Sequence, residues 1–321
     1  MESEHELILP LIQEENSCLP LPVNVVSAYW NVNLPMSEAA DNAKKYPGFA
    51  GSILIEGLEL AERHGLAYKM IHSDMPELKK IIDMGIPPIV ILPGIPEITQ
   101  HASVISGYDD NEQTIFHYIQ KGTSSGELQQ GAIPQDIFDR EWSEDGRLLL
   151  ILAPTDILSS VGLKAGTNAD ANRLCLGSER LVIQKNGAEA LDSLKKAVLM
   201  DSANPTALQM IGALLNESGS DSCVEFYEKC VNVNPRCFLA YNGLGNYYLK
   251  SGQLEKAESF YTKGIGINPK RSAKIYKNRA YLLEKQHKPS QAADDLRVYL
   301  KLNPRAKDRG VMEQAIRELS K

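Results

Sequence analysis

The chain has 321 residues, of which 43% are hydrophobic and 23% charged, and this length suffices for two domains with well-filled cores. It has no basic amino-terminal region and no run of about 18 apolar residues, so the sequence predicts a cytoplasmic protein without a membrane span. It has no Cys-x-x-Cys pair, so we expect free thiols, no metal site and no cofactor. Residues 1–160 carry 24 acidic and 9 basic side chains, which argues against nucleic-acid binding there, whereas residues 161–321 carry 17 acidic and 25 basic ones.

The first half of the chain predicts helices followed by strands. LPVNVVSAYW predicts a buried helix, because prolines are tolerated in a first turn. SILIEGLELAERHG and DMPELKKIIDMG have apolar residues at helical spacing. PPIVIL, HASVISGY, QTIFHYI and RLLLILAP are short apolar or alternating runs that predict strands. This order predicts an α+β domain over residues 1–156, followed by a linker over residues 157–170.

The second half of the chain is repetitive. Asn-Pro recurs at Pro205, Pro235, Pro269 and Pro304, with spacings of 30, 34 and 35 residues. A period near 34 is typical of stacked supersecondary units rather than of one globular core. We therefore expect about four helical hairpins over residues 171–304, the first of them weak, and a capping helix over residues 305–321 with Val311, Ile316 and Leu319 facing inward.

FLAYNGLGNYYLKSGQLEKAESFYTKGIGINP resembles a tetratricopeptide repeat, with Tyr241, Gly245, Tyr261 and Pro269 in the family's positions. The following unit has His287 in the turn where glycine is usual. The resemblance implies an all-α superhelix whose concave groove binds a peptide or protein partner.

Two asparagines also match this family's clamp for C-terminal carboxylates. Asn246 and Asn278 stand at two of its positions, but the position of its lysine holds Asn242. Because asparagine is common in such repeats for packing reasons, the match is only a weak indication of a carboxylate ligand.

The amino-terminal half contains six motifs in a fixed order over roughly residues 5–155: QEENSCLPLPVN, AERHGLAYKM, GIPPIVIL, HASVISGYDD, IFDREW and LLLILAP. In these motifs it resembles cysteine peptidase family 39, and more closely its bacterial relatives that carry tetratricopeptide repeats. The resemblance implies a papain-like fold ahead of the repeat superhelix.

It also implies roles for three side chains. Cys18 would be the nucleophile, because the positive end of a helix dipole lowers a thiol pKa. His101 would be the general base and then the acid, and Gln13 would bind the oxyanion. These residues predict a hydrolase that acts on a peptide or protein amide bond, or an acyltransferase built from the same parts.

The sequence departs from the peptidase pattern after the nucleophile and after the histidine. Leu19 replaces the usual glycine, and the third catalytic residue is absent, with His117 or Gln120 as candidates to orient His101. A cysteine–histidine dyad still functions when the third member is lost, because that member mainly fixes the imidazole orientation. The alternative hypothesis is an inactive peptidase-like domain that serves, with the repeats, as a peptide-binding scaffold.

Overall fold

The computed structural model of the chain describes residues 4–10, 21–45, 53–93, 100–120, 128–162 and 168–321. The contacts divide the chain into two compact units. One unit comprises residues 1–92 and 102–202, and the other comprises residues 93–101 and 203–321. The unit that contains the sheet therefore extends beyond the predicted domain of residues 1–156, whose boundary remains a prediction.

The amino-terminal half forms an antiparallel sheet with helices on its faces. Its elements are β1 (Glu4–Glu6), α1 (Leu21–Tyr29), α2 (Met36–Lys44), α3 (Leu54–Arg63), β2 (Leu66–His72), α4 (Met75–Asp83), β3 (Ile89–Pro93), β4 (Gln100–Asp109), β5 (Thr114–Gln120), β6 (Leu128–Pro134), α5 (Gln135–Trp142), β7 (Leu148–Pro154) and α6 (Thr155–Ser160). Within the described residues the strand order is β2-β7-β3-β4-β5-β6, and β1 pairs with β4. This arrangement is consistent with an α+β domain.

The core of this unit is centred on β7. Its residues Leu149–Ala153 are all buried, because β2 and β3 flank the strand while α1 and α6 pack against it. A strand covered on both faces is expected to be an unbroken apolar run, as LLLILA is. Trp142 is fully buried beside it, and its indole nitrogen donates to the carbonyl of Leu148 at 2.8 Å.

The predicted helices and strands of this half are present, but the order differs from helices first and strands afterwards. β2 lies between α3 and α4 and pairs with β7 over seven residues, from Leu66 opposite Pro154 to His72 opposite Leu148. Its sequence, LAYKMIH, begins directly after Gly65, where the predicted helix ends, and no strand was predicted there. α2, α5 and β6 were also not predicted.

The first helical hairpin, α7 (Ala169–Ile183) and α8 (Gly187–Met200), belongs to the same compact unit as the sheet. Asn172 is buried and donates its amide to the carbonyl of Met70 on β2 at 3.0 Å. Arg173 forms a bidentate ion pair with Glu62 on α3 and lies over the ring of Tyr68. These contacts fix α7 against the sheet domain.

The carboxy-terminal part is a tetratricopeptide-like helical repeat. Its helices are α9 (Pro205–Glu217), α10 (Cys223–Val233), α11 (Phe238–Lys250), α12 (Leu254–Ile267), α13 (Ala273–Lys285), α14 (Pro289–Leu302) and α15 (Arg309–Leu319). They pair as α9–α10, α11–α12 and α13–α14, and α15 packs against α14. In this part, Ile316 and Leu319 of α15 contact the core as predicted, together with Met312 and Ala315. Val311 is 65% exposed, so its predicted inward orientation is wrong.

The Asn-Pro dipeptides begin or end helices by hydrogen bonding. Asn204 caps α9 by accepting from the backbone N–H of Ala207 at 2.9 Å, and Pro205 occupies the first helical turn, where a missing N–H costs nothing. After α12, the side chain of Asn268 accepts from the N–H groups of Lys270 and Arg271 and reverses the chain. This chemistry explains the period seen in the sequence.

Tyrosines on the second helices pack directly on glycines of the first helices. The ring of Tyr227 lies against Gly212 and Gly243, where a Cβ atom would come within 2.7 Å and 2.1 Å of it. Tyr261 lies in the same way against Gly245, at 2.4 Å.

No helix of the described residues is long and apolar enough to cross a membrane.

Candidate functional site

The predicted catalytic residues are only partly within the described structure. Gln13, Cys18 and Leu19 lie outside the described residues. His101 is the second residue of β4, and its backbone is described while its side chain is not. The Gln13–Cys18–His101 constellation therefore remains a prediction.

His117, one candidate to orient His101, lies on β5 and is buried. Its Nδ1 is 3.1 Å from the hydroxyl of Ser103 on β4, and that hydroxyl also lies 3.2 Å from the carbonyl of Tyr118, to which it donates. Because the serine proton is committed to the carbonyl, Nδ1–H of His117 donates to the serine oxygen. This arrangement suits a buried structural pair rather than an activated serine, which would donate to the imidazole.

A groove opens on the repeats along α9 and α11. It has a volume of about 410 Å³. It is deepest where Ala213 and Gly243 have small or no side chains, and both polar groups and the apolar side chains of Leu239 and Leu249 line the rest of it. The lining residues are Gln209, Ala213, Asn216, Glu217, Tyr227, Leu239, Asn242, Gly243, Asn246, Leu249 and Lys250.

An amide network fixes the polarity of this floor. Asn278 on α13 donates its side-chain NH₂ to Oδ1 of Asn242 at 3.2 Å and to Oδ1 of Asn246 at 3.0 Å. The hydroxyl of Tyr261 also donates to Oδ1 of Asn246, at 2.7 Å. Burial raises the pKa of Tyr261, so its hydroxyl stays protonated and remains a donor.

The consequence is a pair of oriented donors. The oxygens of Asn242 and Asn246 face the network, and within the described part of the chain their NH₂ groups donate to no acceptor. Asn and Gln amide orientations follow from such networks, because a donor can face only an acceptor. The floor therefore offers N–H groups to a ligand that carries carbonyl or carboxylate oxygens.

A second set of bonds joins the neighbouring helices at one end of the groove. Asn216 on α9 donates to the carbonyl of Gly243 on α11 at 3.1 Å. Lys250 donates to the backbone and side-chain oxygens of Asn216 at 3.1 Å and 3.2 Å. These bonds tie α9 to α11 and keep the groove open as a rigid surface.

The sequence indicated part of this site. Asn246 and Asn278 were noted as clamp positions, whereas Gln209, Asn216 and Lys250 were not predicted. The i, i+4 spacing of Asn242 and Asn246 puts both amides on one face of α11 and was the available signal. The role of Tyr261 in orienting an amide was not visible, because it depends on contact between two helices.

Comparison with known proteins supports the repeat assignment. The tetratricopeptide repeat family matches residues 239–271, which span α11, α12 and the loop after them. The chain is 29% identical over 103 residues to anaphase-promoting complex subunit 3 of Schizosaccharomyces pombe, covering 32% of this chain and 15% of that protein. It is 24% identical over 144 residues to the cell division cycle protein 27 homolog of Caenorhabditis elegans, covering 42% and 18%. The chain spans less than a fifth of either relative.

Solved structures of similar fold include pilF of Pseudomonas aeruginosa, with a TM-score of 0.42 and 17% identity over 46% of this chain and 67% of that one. YrrB, described as a tetratricopeptide repeat protein with an unusual peptide-binding site, has a TM-score of 0.38 and 18% identity over 45% and 73%. The fold thus combines an antiparallel sheet with helices, consistent with an α+β domain, and a tetratricopeptide-like helical repeat. Repeats of this class typically bind protein or peptide partners, and the peptidase resemblance of the first domain remains a prediction.

Proposed function

We propose that this chain is an interaction scaffold whose repeat groove binds an extended peptide segment of a partner protein. The observation that carries the proposal is the pair of amide donors on Asn242 and Asn246, whose oxygens are occupied by Asn278 and Tyr261. An extended peptide offers a carbonyl oxygen at every residue, so fixed donors along a groove can bind its main chain with little dependence on sequence.

The test uses substitutions that remove the donors and keep the network. Asn242→Asp and Asn246→Asp retain an oxygen for Asn278 and Tyr261 but replace each NH₂ group by a second oxygen. The matched control is Asn232→Asp, which adds the same charge at an exposed position of α10. Because each lost hydrogen bond costs roughly 1 kcal/mol, the double variant is expected to bind about tenfold or more weakly.

The ligand comes from a displayed library of random 12-residue peptides selected on the full chain, and affinity is measured by fluorescence anisotropy. Loss of binding in the double groove variant, with parental binding in Asn232→Asp, supports the proposal. Failure to select any peptide, or equal affinity of all variants, contradicts it.

A papain-like cysteine hydrolase or acyltransferase is the second candidate function. The sequence favours it: Cys18 directly precedes an apolar run with helical character, and His101 opens the run HASVISGY, as the resemblance to cysteine peptidase family 39 implies. The measurement is the pH dependence of alkylation at Cys18, followed by mass spectrometry, in the parent and in His101→Ala. Fast reaction well below pH 8 that requires His101 would support a thiolate–imidazolium pair. A rate equal to that of the buried Cys175, whose pKa burial raises to about 12, would oppose it.

A further inference from the structure

The charge of the repeat unit is concentrated on the loops that join successive repeats. Residues 203–321 contain 19 basic and 12 acidic side chains. Three segments, 234–237, 268–274 and 301–309, hold eight of the basic residues and one acidic residue. The remaining residues of this part hold 11 of each sign, so the whole net charge of +7 resides in the three loops and the helix ends beside them.

These loops lie at one rim of the groove. The groove helices α9 and α11, and the neighbouring helix α13, each start at an Asn-Pro loop and end at a tight turn. On α13, the residues Lys274, Lys277, Asn278 and Tyr281 follow the i, i+3, i+4, i+7 spacing of one helix face. Asn278 contacts Asn242 and Asn246 on the groove floor, so this face is turned toward the groove.

Lys274 stands on that face within the first turn of α13, at the loop end of the groove. Lys277, three residues later, pairs with Asp308 in the following loop, and this contact brings Lys307 close to the same rim. Lys274 and Lys307 are both exposed, and within the described residues neither forms an ion pair. Their ammonium groups are therefore available to a ligand.

The opposite end of the groove carries side chains of both charges. Glu217, the last residue of α9, lines the groove there beside Lys250, the last residue of α11. The groove is thus basic at the loop rim and mixed at the turn rim. A ligand whose charges match this difference gains favourable contacts at one end without repulsion at the other.

We propose that the groove selects an acidic peptide segment, whose Asp and Glu side chains meet the basic loop rim while its main chain contacts the amide floor. The inference rests on the proposed peptide-binding function. A short acidic peptide fits the charge distribution better than nucleic acid does, because the basic excess is confined to a few short segments while the whole chain has a net charge of −7, which disfavours a long polyanion.

The experiment begins with the displayed 12-residue random library selected on the full chain. Selected peptides are expected to contain about twice the Asp and Glu content of the input, and their affinity should fall with added salt because the rim contacts are solvent-exposed. Selection of neutral or basic peptides overturns the acidic preference but leaves the groove function intact. Selection of no peptide contradicts the groove function itself.

Charge reversal then locates the contact. Lys274→Glu combined with Lys307→Glu is expected to weaken binding of a selected acidic peptide about tenfold. The matched control combines Lys256→Glu with Lys263→Glu, which make the same charge change at exposed positions of α12, and it should bind as the parent does. Equal loss in both variants would show that only net charge matters and would overturn the rim assignment. Binding of a 12-nucleotide single-stranded DNA with equal affinity would overturn selectivity for peptide.

Discussion

Gly243→Ala tests the tyrosine–glycine packing that holds the repeats together. An alanine Cβ at this position would lie 2.1 Å from Cζ and 2.4 Å from the hydroxyl oxygen of Tyr227, far inside van der Waals contact. The ring has little room to withdraw, because it is 3% exposed and also lies against Gly212 on α9. The substitution must therefore displace α11 from α10 or force the tyrosine from its rotamer.

The magnitude follows from two opposing effects. Overpacking of a filled core costs about 1–3 kcal/mol. Replacing glycine by alanine within a helix recovers about 0.5–1 kcal/mol of backbone entropy. We expect a net destabilisation of about 1–2 kcal/mol. Gly266→Ala in α12 is the matched control, because no atom beyond its chain neighbours and the backbone of its own helix lies within 4 Å of its Cβ position, and it should keep or slightly raise the stability.

The assay is urea unfolding followed by helical circular dichroism, together with hydrogen exchange resolved by peptide. Gly243→Ala should lower the midpoint and reduce the protection of peptides from α10 and α11, while Gly266→Ala should do neither. If Gly243→Ala were as stable as Gly266→Ala, the close contact with Tyr227 would not constrain the repeat, and the packing argument would be refuted.

Three further predictions concern the turn, the last loop and the first hairpin. His287 has a φ of 57°, so His287→Gly should raise the free energy of unfolding by about 1 kcal/mol, measured by urea denaturation, with Gly252→Ala as the converse change. Hydrogen bonds from Lys277 and Tyr299 lower the pKa of Asp308 below its ordinary 3.8, so the stability it contributes is complete above that value and is lost as the pH falls through the folded-state pKa. Asp308→Asn should therefore flatten the stability–pH profile below pH 3.8 and leave its shape above that value unchanged, and an unchanged acid limb would contradict the assignment. Asn172→Ala leaves the carbonyl of Met70 without this donor and should destabilise the sheet unit by about 1–3 kcal/mol, followed by the fluorescence of Trp30 and Trp142. An unchanged midpoint would show that this bond contributes nothing.

The repeats could be predicted from sequence because their determinants are local. The Asn-Pro period follows from local hydrogen bonding: Asn204 caps α9 with Pro205 in its first turn, and Asn268 reverses the chain after α12. The turns between paired helices share a left-handed residue: Lys185, Gly219, Gly252 and His287 have φ values of 64°, 79°, 75° and 57°. Glycine occupies this position in two of the four turns, so the other two turns were harder to locate from the sequence.

The sheet order was less accessible because it depends on long-range pairing. β2 pairs with β7, some 80 residues later, and nothing in LAYKMIH specifies that partner. Similarly, the assignment of α7 to the sheet unit depends on the contacts of Asn172 and Arg173 with β2 and α3. Local patterns identify the hairpin α7–α8 but not the surface on which it packs.

The chemistry of the groove depends on the same tyrosines that fill the repeat interior. Tyr261 packs on Gly245, and this close approach brings its hydroxyl to Oδ1 of Asn246. Tyr227 packs on Gly243, whose carbonyl accepts from Asn216. A larger residue at either glycine would move a groove helix and its amides together. Donors positioned by rigid packing lose little entropy when a ligand binds, and for this reason a groove built from neutral amides can contribute appreciable affinity.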